Sequence, residues 1–200
     1  PALMSLYLQG KKDEAAAILL KNNPMAAISS RVCDWSRVCL SRCILNARQS
    51  PVNWHSVEAE MAGDAIFRLK VRPGDATGKS VGIIGAGPAG ISAALWLREA
   101  GHDVVIYDSC ERPGGVLRYG IPEFRLPKSI VAQEIERLER SGVKIVTNAV
   151  IGRAVSIDEL FEDGFEAVFI GSGAGRKLLP AAAVDNRDLL GPCLFYTPDP

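Results

Sequence analysis

An all-helical first third followed by an α/β domain with a parallel sheet is the fold this sequence predicts. Three observations carry the prediction. Residues 1–69 are rich in helix formers and read as helical almost throughout. Beyond them, short apolar runs alternate with helical patterns, which implies parallel strands joined by right-handed crossovers. Between the first run and its helix lies Gly85-x-Gly87-x-x-Gly90.

Bulk properties bound the reading. Two hundred residues hold one large domain or two small ones, and 48% hydrophobic content is that of an ordinary globular chain. Lys plus Arg balance Asp plus Glu at 23 each, so net charge gives no reason to expect nucleic acid or an anionic membrane surface as a partner. No apolar run is long enough to span a bilayer, so membrane insertion is not expected. The chain opens Pro1-Ala-Leu-Met, without an initiator methionine or basic leader, so a cytoplasmic location and an internal start point are the expectation. Five cysteines are spread unevenly, with Cys33, Cys39 and Cys43 close together and Cys110 and Cys193 alone. That is no secreted disulfide framework; beside a cofactor motif, such a cluster suggests metal or iron and sulfur.

In chain order, residues 2–8 form an apolar stretch stopped by Gly10. Residues 12–21 combine acids in the first turn with a lysine in the last, and Asn22-Asn23-Pro24 ends the pattern. Residues 25–50 show no sustained period and contain the cysteine cluster, so something other than a hydrophobic core is expected to shape them. Residues 52–69 read as helix. Residues 72–79, Arg-Pro-Gly-Asp-Ala-Thr-Gly-Lys, have turn chemistry and mark a domain boundary: a helical domain at 1–71, a linker at 72–79, an α/β domain at 80–178 and an irregular tail at 179–200. Within the α/β domain, strands are expected at 79–84, 101–108, 143–147 and 166–170. Helices are expected at 89–100, 128–141 and 157–161, with a long irregular loop at 111–127.

The glycine pattern reads as a dinucleotide-binding turn because its context is complete: a strand before, a helix after, and a second strand tipped by Asp108. Gly85 would make the tight turn, Gly87 would let the backbone approach a pyrophosphate, and Gly90 would let helix pack on strand. Pro88 and Ala89 begin the helix whose free N–H groups meet the phosphates. Gly171-x-Gly173-x-Gly175 has the wrong spacing for a second such site. It reads as a strand end, with Gly173 close to the first cofactor.

The loop Gly114-Gly115-Val-Leu-Arg-Tyr-Gly-Ile-Pro-Glu-Phe-Arg-Leu-Pro-Lys128 resembles the flavin-contact segment of a family of FAD and iron–sulfur NAD(P)H oxidoreductases. That family contains the small (beta) subunit of NADPH-dependent glutamate synthase, the large subunit of ferredoxin:NADP oxidoreductase and the amino-terminal half of dihydropyrimidine dehydrogenase. The likeness runs from Pro1 to about Gly175. It implies an α-helical iron–sulfur domain followed by a Rossmann-like FAD-binding domain. It places the FAD pyrophosphate on Gly85, Gly87 and Gly90, the adenosine ribose on Asp108, and the flavin near Gly114, Gly115 and Leu117. Arg118 and Arg125 are equally read as phosphate contacts or as solvated surface arginines.

The resemblance also explains Cys33-x5-Cys39-x3-Cys43, whose spacing is similar to that of the family's two-cluster 4Fe-4S domain. Three structural cysteines or a zinc site are the alternatives for these thiols, though no CxxC pair or nearby His partner supports zinc. The family often has a cysteine where this chain has Ser29. Some members complete a cluster with a Gln or Glu seven residues after the proline of a Pro-Val pair, and Glu58 stands at that distance from Pro51. Glu58 is therefore the candidate fourth ligand, with a solvated helix carboxylate as the equal alternative; His55 reads as a helix-surface residue and Cys110 as structural. In the family, further cluster cysteines lie upstream and an NAD(P)H domain follows the strand ending near Gly175, so the chain reads as a fragment.

The resemblance implies hydride delivery from NAD(P)H to FAD and onward electron transfer through 4Fe-4S clusters to or from a partner subunit. No acid–base dyad or nucleophile is required, so no catalytic side chain is expected. Two other classes remain open from the sequence: an NAD(P)-binding module with a metal-stabilised helical appendage, and a non-catalytic remnant.

Overall fold

The computed structural model describes residues 2–48, 50–173 and 194–196. It divides into two units, Pro1–Lys70 with Pro122–Glu134, and Val71–Ile121 with Ile135–Pro200.

The first unit contains α1 (Ala2–Leu8), α2 (Lys12–Asn22), α3 (Ala26–Val32) and α4 (Trp54–Arg68). α2 carries Asp13 and Glu14 in its first turn and Lys21 in its last, both favourable to the helix dipole. α4 begins at Asn53, whose side chain accepts the Ser56 N–H. Ala15, Ala16, Ala26, Ala27, Ala62 and Ala65 are all at most 1% exposed, and so small a side chain lets the helix backbones approach closely. Leu19, Leu20, Met61 and Ile66 fill the remaining core.

The expectation of an irregular stretch at 25–50 holds only in part. Residues 26–32 form α3 because Ala26 and Ala27 pack into this alanine-rich core, with Ile28 also buried. After Cys33 the chain forms only a π-helical turn, Ser36–Leu40, and a 3₁₀ turn, Ile44–Ala47, neither with a buried residue.

The second unit is built on a five-stranded sheet whose strands, in order across it, are β3 (Lys144–Val146), β2 (Asp103–Tyr107), β1 (Ser80–Ile84), β4 (Ala167–Ile170) and β5 (Leu194–Tyr196). β1 lies between β2 and β4, and β3 flanks β2, all parallel. Its crossovers include α5 (Pro88–Glu99) and α8 (Ile157–Glu162). Val81, Ile83, Val104 and Ile106, alternate residues on one face of β1 and β2, are buried, as are Ile91 and Leu95 of α5. α7 (Lys128–Arg140) contributes residues to both units.

Three details differ from the sequence expectation. The loop at 111–127 contains a one-turn helix, α6 (Val116–Tyr119), because Gly115 at φ 51° redirects the chain and its carbonyl accepts the Tyr119 N–H at 2.9 Å. The stretch at 72–79 is hydrogen-bonded within the second unit, where Gly74 N–H donates to Arg98 O at 3.1 Å and Thr77 N–H to Gly101 O at 3.0 Å. The expected irregular tail contains β5 (Leu194–Tyr196), antiparallel to β4. Gly175 and Cys193 lie outside the described residues. Among the described residues, no helix is long and apolar enough to cross a membrane.

Candidate functional site

At the carboxyl end of β1 the chain must leave the sheet and start a helix within three residues. Gly85 does this at φ 104°, a conformation other residues rarely adopt, and a Cβ there would lie 2.4 Å from Gly171 O. Gly90 admits no side chain either: its Cβ would stand 1.9 Å from Gly85 O and 3.1 Å from Ile83 Cγ2. Gly87 is different. Its φ of −81° and ψ of −175° suit any residue, and among the described residues no atom beyond its chain neighbours lies within 4 Å of where its Cβ would be.

Gly87 is also the N-cap of α5, with Pro88 at the helix start and no side-chain cap. The first N–H groups of a helix have no intrahelical partner, and Pro88 supplies none, so Ala89 and Gly90 present theirs beside the positive helix end. The Gly114-Gly115 loop closes on this turn. Gly114 N–H donates to Ala86 O at 2.8 Å, and a Cβ on Gly115 would lie 2.8 Å from Gly87 Cα. Leu117 follows, 4% exposed, with its N–H on Gly114 O at 3.0 Å.

Asp108 directly follows β2 and is 7% exposed. Its Oδ2 accepts the Ala86 N–H at 2.6 Å and its Oδ1 the Cys110 N–H at 2.7 Å. Burial, then the charge of Asp108, push the Cys110 thiol above its ordinary range. The glycine that touches the turn from β4 is Gly171, whose Cβ would lie 3.5 Å from Gly90 N; around Gly173, among the described residues, no atom beyond its chain neighbours lies within 4 Å of the Cβ position. Spacing alone did not separate these two glycines. Arg118 donates to Pro113 O at 2.8 Å and holds the loop. Arg125 donates to Val32 O at 3.1 Å in the first unit.

In the first unit, Cys33 caps α3, Cys39 lies in the π-helical turn and Cys43 precedes the 3₁₀ turn. All three thiols are free. The structure does not gather them with Glu58: among the described residues no three His, Cys, Asp or Glu side chains lie close enough to hold a metal ion. Such ligands are drawn together by their bonds to the metal, whereas the polypeptide between them here makes only local turns. The donor chemistry nevertheless fits an iron–sulfur cluster. Backbone N–H groups of Val52, Leu45 and Asn46 bond to the Cys43 sulfur and hold its pKa below the ordinary thiol value, favouring the thiolate that ligates iron.

Glu58 is half-buried on α4, with its pKa raised by burial against the opposing influence of His55, Trp54 and Asn23. Asn23 also donates to Ser29 Oγ at 2.8 Å, at the position where a cysteine was expected. His55, expected as a plain surface residue, stacks on Trp35 from the cysteine segment, with ring centroids 5.1 Å apart. Nothing in the spacing of the sequence signalled that pair.

An α/β sheet with a glycine-cornered helix start, in a chain that also carries a helical unit with free thiols, defines a nucleotide-binding redox protein. Residues 79–191 match the family described as pyridine nucleotide-disulphide oxidoreductase, and the chain belongs to that family. Residues 1–68 match the family described as dihydropyrimidine dehydrogenase domain II, 4Fe-4S cluster. The chain is 38% identical over 192 residues to Glutamate synthase (NADH) of Schizosaccharomyces pombe, covering 93% of this chain and 9% of the relative. It is 34% identical to the NAD-dependent dihydropyrimidine dehydrogenase subunit PreT of Escherichia coli O157:H7, covering 92% and 45%. To the Glutamate synthase (NADPH) small chain of Bacillus subtilis it is 35% identical, covering 96% and 38%. The chain thus spans less than half the length of these relatives.

Proposed function

We infer that this chain is the FAD- and cluster-holding part of an NAD(P)H oxidoreductase that exchanges electrons with a partner subunit in the cytoplasm. The observation that carries the reading is the contrast within the glycine turn. Gly85, Gly90 and Gly115 are closed against protein backbone, whereas the Cβ position of Gly87 is open. Protein packing accounts for the first three glycines; a ligand pressed against the backbone accounts for the fourth.

On this reading the N–H groups of Ala89 and Gly90 and the positive end of α5 hold the FAD pyrophosphate, with Gly87 giving it room and Pro88 fixing the helix start. Gly114, Gly115 and Leu117 form the wall toward the flavin, and Gly171 and Gly173 line the end of β4. Cys33, Cys39 and Cys43, with Glu58 as fourth ligand, would hold one 4Fe-4S cluster. Bound FAD supplies the junction between two-electron hydride chemistry and one-electron transfer. No side chain here is assigned proton transfer or nucleophilic attack.

Anaerobic purification followed by a visible spectrum, identification of the extracted nucleotide and iron analysis tests the reading. FAD together with bound iron is the expected result. Bound NAD with neither flavin nor iron would overturn it in favour of a nicotinamide-binding module, and a colourless protein that binds neither nucleotide would make it a structural remnant.

A further inference from the structure

The segment that carries the thiols has few holds on the rest of its unit. Among the described residues, the hydrogen bonds of residues 34–41 stay local: Arg37 and Val38 N–H meet Asp34 O at 3.2 and 3.3 Å, and Leu40 N–H meets Trp35 O at 2.9 Å. The side chains of Ser36 and Arg37 both turn back to the Asp34 carboxylate, at 2.7 and 3.4 Å. No apolar residue described at 34–48 belongs to the alanine-rich core of the helices or packs against it.

A ring stack joins this segment to α4. Trp35, between Cys33 and Cys39, lies on His55 in the first turn of the helix, with ring centroids 5.1 Å apart and planes inclined by 23°. Successive helix residues point about 100° apart, so Trp54 packs against the core while His55 faces the thiol segment. Glu58, three residues after His55, shares its side of α4. The candidate carboxylate ligand and the hold on the thiols therefore come from the same helix face. Among the described residues the thiols are not gathered, so cluster binding has to draw them together. A segment already held at Trp35 has fewer conformations to give up when that happens.

We propose that Trp35 and His55 are positioning residues that pin the thiol segment to α4 and so favour cluster binding, neither of them ligating iron. The proposal rests on the cluster reading above. A stacked pair of this kind is worth about two- to tenfold in an equilibrium constant, so its removal is measurable.

The full chain is reconstituted anaerobically with ferrous iron and sulfide, and cluster loss to an iron chelator is followed by visible absorbance. Wild type is compared with Trp35→Ala, Trp35→Phe, His55→Ala and the double alanine variant. Each single alanine substitution should speed the loss about two- to tenfold, and the double variant should be no faster than either, because the two rings act as one contact. Trp35→Phe keeps a ring on His55 and should recover most of the wild-type half-life. Faster loss in Trp35→Ala alone would make the tryptophan a cover over the cluster, and faster loss in His55→Ala alone would make the imidazole a ligand. Either result overturns the proposal, as do multiplied effects in the double variant or a Trp35→Phe that behaves as Trp35→Ala. If His55→Ala does not fold, Trp35→Ala and Trp35→Phe decide between loss and rescue. A wild type that takes up no iron ends the cluster reading by itself, and the pin is then read by NMR in the iron-free chain. There Trp35→Ala should move the His55 ring protons out of the indole ring current; unmoved signals refute the pin.

Discussion

Alanine substitutions at Gly90 and at Gly87 should separate what the fold needs from what the ligand needs. At Gly90 the new Cβ would stand 1.9 Å from Gly85 O. A tolerable carbon–oxygen approach is about 3.3 Å, so the first turn of α5 must retreat from the end of β1 by more than about 1 Å. Ile83 Cγ2, 3.1 Å away and fully buried, leaves no room on the other side. Overpacking of this kind costs about 3 kcal/mol, which for a chain of this size lowers Tm by roughly 6–12 °C. At Gly87 the backbone is already ordinary and the Cβ meets nothing, so Tm should change by less than about 2 °C. Flavin affinity should nevertheless fall about tenfold or more, because the methyl group fills space assigned to the pyrophosphate. Calorimetry paired with FAD titration reads both quantities. Equal loss of Tm in the two variants, or wild-type FAD affinity in Gly87→Ala, would refute the reasoning.

Three further outcomes are expected. Ser156→Ala removes one side of the capping box of α8, in which Glu159 N–H meets Ser156 Oγ at 3.1 Å and Ser156 N–H meets Glu159 Oε2 at 2.6 Å; chemical denaturation should show a loss of about 1 kcal/mol, and no loss would mean the cap is not formed. Glu60, bonded by Lys12 at 2.5 Å and Tyr7 at 2.8 Å, has its pKa lowered by those two partners, so its contribution is present above the unfolded value of about 4.3 and disappears as pH falls through the lower folded value; Glu60→Gln should be slightly less stable at pH 7 and indistinguishable in strong acid, and a gap that persists there would contradict the pairing. Glu58→Ala should reduce iron per chain while leaving FAD occupancy unchanged, and unaltered iron would remove Glu58 from the ligand set.

Much of the second unit was legible because its signals are local. Alternating apolar runs and helical patterns gave the parallel order of elements, and the spacing of Gly85, Gly87 and Gly90 gave the turn. The loop at 111–127 hid α6 because four residues are too few to show a helical period. α3 was hidden similarly: seven residues with two serines have no evident stripe, and their alanines matter only once a facing alanine-rich helix is known. The strand at Leu194–Tyr196 was missed because an edge pairing depends on a partner far away in sequence.

By itself, the sequence determined that a helical cysteine-bearing segment precedes a nucleotide-binding α/β domain, since periodicity, thiol spacing and glycine spacing are properties of neighbouring residues. The tertiary structure decided the division of labour among the glycines, because a Cβ clash depends on which distant backbone passes by: Gly171 beside Gly85, Gly87 beside Gly115. It also decided which backbone groups meet Asp108. A carboxylate after a strand is identical in sequence whatever its neighbours, and only the fold brings the N–H groups of Ala86 and Cys110 onto its oxygens.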